Sequence, residues 1–528
     1  MDVKRVLLVY PEFGRTYWGM QYALPIVHKK AIMPPLGLLT VAALSPPELE
    51  FRLNDLNCGP LSESDLEWAE MVCFSAMLPQ KEALFRTARR CRDAGKLVVF
   101  GGPYPTACPE ECEPHCDVQV LNEAEITWPL FLDDLAKGTH QKVYTTTEKP
   151  DITRTPIPRF DLVTIDDYAS VPIQFSRGCP FQCEFCDIIV MFGRTPRTKT
   201  PAQVLAELDA VYRTGYRGAI FIVDDNFIGN RKAAKGLLPE IRAWNEARRN
   251  PFIYGTEASV DLAQDDTLLE LLREAHFTEI FLGIETPSME SLNETRKFQN
   301  LRSSLSESVE RIRAAGLMIQ AGFIIGFDND GEDIFDRQIE FIRQTSIPFA
   351  MVGLLGALPG TPLYERLQKA GRLVRQDRYE KGEDQCGDTN VVTLLPRRTL
   401  LEGYRRVLET VYSPREYFER CLSSLSRLPR PPAQIDAIHQ PLSVFRALTL
   451  IARVLWNLPR GYRRESWRFI WATLRRFPDK FPAALANVLV GVHFYRFTFE
   501  HVGPRLDERL RRLSNPPAGD VPDFATVA

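Results

Sequence analysis

The 528-residue chain is expected to be an α/β protein. A doubly wound parallel sheet should occupy residues 1–144, a linker 145–170, a partial (β/α)6 barrel 171–372, and a helical region 373–512, with a disordered tail over 513–528. Three observations predict this order. Short β-branched runs alternate with helical stretches up to about residue 140; the alternation restarts at Val171 and repeats six times; and the strand signal fades beyond Leu373.

In the first region the strand candidates are RVLLVY (Arg5 to Tyr10), EFRL (Glu50 to Leu53), MVCFS (Met71 to Ser75), KLVVFGG (Lys96 to Gly102) and VQVL (Val118 to Leu121). Between them, Pro35 to Leu44 and Gln80 to Gly95 have helical spacing, the second stopping at a glycine suited to a left-handed C-cap. Thr145 to Val163 is turn-rich, with three prolines and no helical period, and reads as a linker. The six later strands are VPIQFS (from Val171), GAIFIV (from Gly218), FIYGTEA (from Phe252), EIFLGIE (from Glu279), MIQAGFIIG (from Met318) and FAMVGLLGA (from Phe349). In such sheets ligands collect at the C-terminal strand ends, so the residues just after each strand matter most. Arg398 to Tyr412 and Pro441 to Trp456 are the clearest later helices.

Composition excludes several classes. Hydrophobic residues make up 45% and charged residues 25%, so the chain can build sizeable cores and is not disordered. Lys+Arg number 65 against 68 Asp+Glu, a net charge of -3 that gives no global pull toward nucleic acid. The opening MDVKRVLLVYPEF breaks its apolar run at Pro11 and Glu12, too soon for a secretory signal, so a cytoplasmic chain is expected. Eleven cysteines there suggest reduced thiols, metal ligands or buried small hydrophobes rather than disulfides.

Three of them stand out. FSRGCPFQCEFCDII places Cys179, Cys183 and Cys186 as CxxxCxxC directly after the first barrel strand. A structural zinc site wants a fourth close Cys or His, and the following DIIVMFGRTPRTK offers none. Three ligands suit an iron–sulfur cubane with one iron left open, as chelation by amino and carboxylate groups requires; Phe185 would help shield it. Three incidental cysteines are the alternative, disfavoured because closely spaced exposed thiols are a liability. In motif and position the chain resembles the radical S-adenosylmethionine (SAM) enzymes. The resemblance implies a 4Fe-4S cluster held by Cys179, Cys183 and Cys186, SAM bound on the open iron, a 5'-deoxyadenosyl radical, hydrogen abstraction, and an electron donor such as flavodoxin or ferredoxin.

Further candidates for SAM binding lie at the later strand ends. VDDNF supplies Asp224 and Asp225, where the family more usually has Gly-Gly-Glu; Glu257, Ser259 and Glu285 are polar groups in apolar runs; Gly322 and Gly326 would let an adenine approach backbone. Satisfied polar residues and ordinary turn glycines are the bland readings.

The front region resembles the Rossmann-like domain of the cobalamin-binding subclass, in YPEFG, MPPLGLLTVAA, DLN after strand two and GGPYPT after strand four. That resemblance implies a corrin, as methylcobalamin, near Asp55, Asn57, Gly101 and Gly102, with Met77 and Tyr104 as weak candidates for cobalt. Many cobalamin domains carry DxHxxG; here the run is Asp55-Leu56-Asn57-Cys58-Gly59, so no histidine from this loop reaches cobalt. A second triplet, Cys108, Cys112 and Cys116 with His115, is interrupted by Pro109 and Pro114 and is read as structural or incidental, with an auxiliary metal site as the alternative.

Residues 441–500 mix tryptophans and arginines without a clean spanning stretch. Core-packing helices with arginine edges are one reading; peripheral contact with the inner membrane face is the other. The layout is similar to the group containing hopanoid C-2 methyltransferases over about Val3 to Tyr417. It implies methylation of an unactivated carbon of a lipid-like small molecule, with no nucleic-acid partner. The rivals are a cobalamin-assisted oxidative cyclase or rearrangement enzyme on a tetrapyrrole or other natural product, and a redox-sensing regulator, for which no effector module is visible.

Overall fold

The structure is a computed structural model that describes residues 3–374, 387–429, 448–449, 451–452, 455–456 and 458–514. Most of the helix expected over Pro441 to Trp456, and all but two residues of the expected tail, lie outside the described residues.

The apolar run RVLLVY forms β1 (Arg5–Tyr10), with Val6 to Val9 at 0% exposure. Its side chains alternate between two cores, Leu7 and Val9 in one, Val6 and Leu8 in the other, so helices cover both faces. β2 (Glu50–Asp55), β3 (Met71–Ser75), β4 (Leu97–Gly101), β5 (Val118–Val120) and β6 (Val143–Tyr144) complete a parallel sheet in the order β2-β1-β3-β4-β5-β6. The order reverses between β1 and β3, which opens a crevice above their C-terminal ends.

A second sheet begins with β7 (Ser170–Ile173). Next come β8 (Ser176–Arg177) and β9 (Arg197–Thr198), a short antiparallel pair that brackets the cysteine loop. β10 (Gly218–Ile222), β11 (Phe252–Ala258), β12 (Phe277–Glu285), β13 (Met318–Ile325) and β14 (Phe349–Leu354) follow, in the order β14-β13-β12-β11-β10-β7, every pair parallel. Helices intervene, and Thr200 and Gln203 form a capping box with Pro201 at the first turn of helix Pro201–Arg213. Along β12 Ile280, Leu282 and Ile284 are buried in the core, while Glu279, Phe281 and Gly283 point to the opposite, interior face and stay partly open.

The C-terminal helices extend this core. Phe494, on helix Phe481–Arg496, packs 5.9 Å from Phe349 of β14 and 4.9 Å from Tyr412. Among the described residues of 441–500, helix Phe481–Arg496 buries Val488, Val492 and Phe494, whereas Trp456 is 76% and Trp471 63% exposed. Among the described residues no helix is long and apolar enough to cross a membrane.

Candidate active site

The cysteine loop leaves the barrel through Gly178, whose φ of +93° is the left-handed turn. A Cβ there would stand 2.9 Å from the Gly193 carbonyl, and that carbonyl accepts the Cys179 N–H at 3.3 Å, closing the loop on itself. On its other side Arg366 donates to the Glu184 carboxylate at 2.8 Å and Leu363 N–H to the Glu184 carbonyl at 3.0 Å, tying the loop to helix Pro362–Lys369 after β14.

Cys183 is buried, and Cys179 and Cys186 are partly exposed. Burial raises both outer thiols, and Cys183 between them adds to each. Amide donors meet two of the sulfurs: Gln299 Nε2 lies 3.4 Å from Cys183 Sγ, and Asn226 Nδ2 lies 3.8 Å from Cys179 Sγ. Among the described residues no three His, Cys, Asp or Glu converge on one metal-ion position. A cubane needs no such convergence, because it offers a separate iron to each cysteine, and N–H contacts to its sulfur ligands tune it. The loop thus fits a cluster rather than a single ion.

Below the loop lies an acidic group. Asp224, 1% exposed, accepts from Phe175 N–H at 2.8 Å and Ser176 Oγ at 2.7 Å, so its oxygens are spent on holding the exit from β7. Burial pushes it up to about 6, against those hydrogen bonds. Asp225 rises to about 7 through burial, Asp224 and Asp187. Glu257 reaches about 8 through burial and then Asp225, Asp224 and Glu285, and its carboxylate has no hydrogen-bond or ion-pair partner among the described residues. Glu285, at φ +65°, is ion-paired with Lys297; a Cβ on Gly283 would fall 2.6 Å from the Lys297 Nζ, so the glycine makes room for the pair. Ser259 is engaged with Asn226 and, at 2.5 Å, with Asp261. Phe185 lies beneath Lys297 and 6.0 Å from Phe327. Gly322 faces the Phe281 ring, and Gly326, at φ +113°, donates to Asp330 at 2.8 Å.

Asn226, Lys297 and Gln299 were not singled out by sequence. Asn226 stands inside VDDNF and its position was the available signal; Lys297 and Gln299 belong to RKFQN, which has no metal or cofactor spacing.

In the front crevice Asp55 and Asn57 form a knot. Asn57 Nδ2 donates to Asp55 at 2.8 Å and to the Pro11 carbonyl at 3.2 Å, its Oδ1 accepts Phe13 N–H at 2.9 Å, and Tyr168 donates to Asp55 at 3.0 Å. The Asn57 amide is thus used to fix the segment after β1. Gly101 and Gly102 are required by their own fold: a Cβ on Gly102 would meet Ser75 Oγ at 2.4 Å, one on Gly101 the Val120 carbonyl at 3.0 Å. Tyr104 is 1% exposed and donates to Glu111 at 2.7 Å, leaving no surface for a ligand, whereas Met77, just past β3, is 48% exposed. Cys112 and Cys116 are buried in the front core beside Cys108, with His115 stacked 3.8 Å from Phe85.

A buried ion-pair network joins the start of helix Ala124–Lys137, after β5, to the β8–β9 pair. Glu123, 3% exposed, takes Arg177 and Arg197 at 2.8 Å each, and Arg177 also reaches Glu125 at 2.8 Å. Arg177 and Arg197 belong to β8 and β9, so front region and cysteine loop are joined directly.

Residues 173–342 match the Radical SAM superfamily, and residues 361–504 match a domain of unknown function, DUF4070. The chain is 42% identical to an uncharacterized methyltransferase of Synechocystis over 96% of this chain and 94% of the relative. It is 35% identical to the hopanoid C-2 methylase of Rhodopseudomonas palustris over 90% of each chain. In fold it is similar to the cobalamin-dependent SAM radical enzyme OxsB, with a TM-score of 0.61 at 15% identity, covering 97% of this chain and 82% of that one. The chain belongs to the cobalamin-binding radical SAM methyltransferase family. It is a radical SAM methyltransferase, and the cofactor set of that family is a 4Fe-4S cluster, SAM and cobalamin.

Proposed function

We propose that the chain methylates an unactivated carbon of a hydrophobic polycyclic small molecule of the hopanoid kind, at a position equivalent to C-2. The observation that carries this reading is the 35% identity, along nine-tenths of both chains, to a hopanoid C-2 methylase. When bound, the cluster and SAM supply hydrogen abstraction and cobalamin supplies the methyl group.

In this reading Cys179, Cys183 and Cys186 hold the cluster, and Gln299 and Asn226 donate to their sulfurs. Asp224 fixes the loop exit, while Phe185, Asp225, Glu257, Ser259 and Glu285 line the SAM side, with the backbone at Gly322, within β13, and Gly326, just past it, facing the same site. Glu257, carrying a proton near neutral pH, can donate as well as accept. In the front crevice Met77 contacts the corrin, and the Asp55–Asn57 knot shapes its floor. The exposed Trp456 and Trp471, among exposed arginines of helix Arg460–Arg476, provide peripheral contact with an anionic membrane that delivers the substrate. A small reductant protein, flavodoxin or ferredoxin, supplies electrons.

The test is anaerobic incubation of reconstituted chain with SAM, cobalamin, reductant and extracted bacterial lipids. Mass spectrometry should show a lipid gaining one methyl, with 5'-deoxyadenosine and S-adenosylhomocysteine formed together. Deoxyadenosine without S-adenosylhomocysteine would replace this reading with oxidative cyclisation.

A further inference from the structure

The segment leaving β1 puts two adjacent aromatic residues in opposite surroundings. Tyr17 is 1% exposed and locked in a ring cluster, 4.4 Å from Phe497 and 5.8 Å from Phe494. Trp18 is 40% exposed, and its ring lies 4.8 Å from Phe281 on the interior face of β12. Phe281 rests over Gly322, where a Cβ would stand 3.1 Å from its ring. Trp18 is thus a residue of the front region that reaches the barrel interior.

Its loop is held stiff. His493, from helix Phe481–Arg496, accepts the Tyr22 N–H on Nδ1 at 3.4 Å, so Nε2 carries the proton and donates to the Thr16 carbonyl at 3.0 Å. Burial lowers His493 to about 4, which keeps this neutral tautomer in place at working pH. Gly19 N–H meets Thr16 Oγ1 at 3.0 Å, and Gln21 reaches the Gly14 carbonyl at 2.8 Å. A large indole that is rigidly held yet left open, where the front crevice meets the barrel interior, suits ligand contact better than packing.

We propose that Trp18 is a specificity-determining substrate contact: its open face, together with Phe281, forms an apolar wall for a rigid polycyclic ring system, and His493 is the positioning residue that presents it. This rests on the reading above of a hydrophobic polycyclic substrate and names the surface that recognises it. Saturated rings pack their C–H edges against an indole face, which a flexible chain does only with loss of conformational freedom.

The test titrates the full reconstituted chain, in detergent, with a radiolabelled pentacyclic hopanoid hydrocarbon and in parallel with squalene, a linear hydrocarbon, and reads equilibrium retention. Native chain should retain the pentacycle in preference to squalene. Trp18→Ala should weaken retention about tenfold and His493→Ala about fivefold, with Trp18→Phe restoring it to within about threefold. Iron and corrin content are measured on each variant; should Trp18→Ala lose iron, Trp18→Gln, suited to an exposed position, is judged by the same thresholds. Equal retention by native and Trp18→Ala chains overturns the assignment of Trp18 and leaves the methyltransferase reading intact. Equal retention of squalene overturns the polycyclic preference. Failure of the native chain to retain the pentacycle overturns the hopanoid reading and this wall together.

Discussion

Gln299 donates to the Cys183 sulfur at 3.4 Å, although 116 positions separate them. The contact exists because the turn Phe298–Leu301 is pinned under β12, where Asn300 donates to the Gly283 and Ile284 carbonyls at 3.0 Å each. An N–H aimed at a ligand sulfur stabilises the more negative, reduced cluster. Gln299→Leu should therefore keep its iron, shift the cluster potential to more negative values in a potentiometric EPR titration, and slow deoxyadenosine formation about tenfold. An unmoved potential refutes the role.

The two cysteine triplets should behave oppositely. Cys183→Ala should lose iron, acid-labile sulfide and SAM cleavage together. Cys112→Ala, in the front core at 0% exposure, should keep its iron and lose only about 1–2 kcal/mol in denaturant unfolding, the scale of a small buried truncation.

Glu123 holds two guanidinium groups in a nearly dry position. Glu123→Gln leaves Arg177 and Arg197 without their shared countercharge and should destabilise the chain by about 3 kcal/mol, measured by urea unfolding. Smaller effects, under about 1 kcal/mol, would mean that water compensates the arginines.

The Glu257 carboxyl sits beside Asp225, Asp224 and Glu285, and its folded pKa, near 8, is above that of an unfolded chain. The folded state keeps its proton longer, so this group's contribution to stability is full below about pH 4.5 and is lost as pH rises toward 8. Glu257→Gln should remove that contribution's pH dependence: its unfolding free energy from urea titration should exceed the native one at pH 8 by more than about 1 kcal/mol and match it near pH 4.5. The comparison uses protein without SAM, and identical slopes would reject the shift.

What could be read from sequence were features encoded locally. The cysteine loop is one short segment with its own spacing, and strands such as RVLLVY announce themselves because a parallel sheet buries both faces. Two-residue strands such as β6, β8 and β9 are too short to leave a period. The Glu123 network and the His493–Thr16 contact, 477 positions apart, depend on tertiary placement, which single-sequence patterning does not carry. The glycines at 101 and 102 are legible as special positions, whereas their close packing on Val120 and Ser75 is a tertiary contact that sequence does not carry. The Tyr104–Glu111 hydrogen bond is equally silent in sequence, because a tyrosine after a strand gives no hint of where its ring turns.

Since the anion shared by Arg177 and Arg197 comes from the front region, at the start of helix Ala124–Lys137, the halves of this enzyme are not interchangeable parts. A chimera that grafts a foreign corrin module onto this barrel without an acid at the equivalent of Glu123 would strand two cations beside the cysteine loop. Recombination between relatives should therefore be tolerated only where that acid travels together with its basic partners.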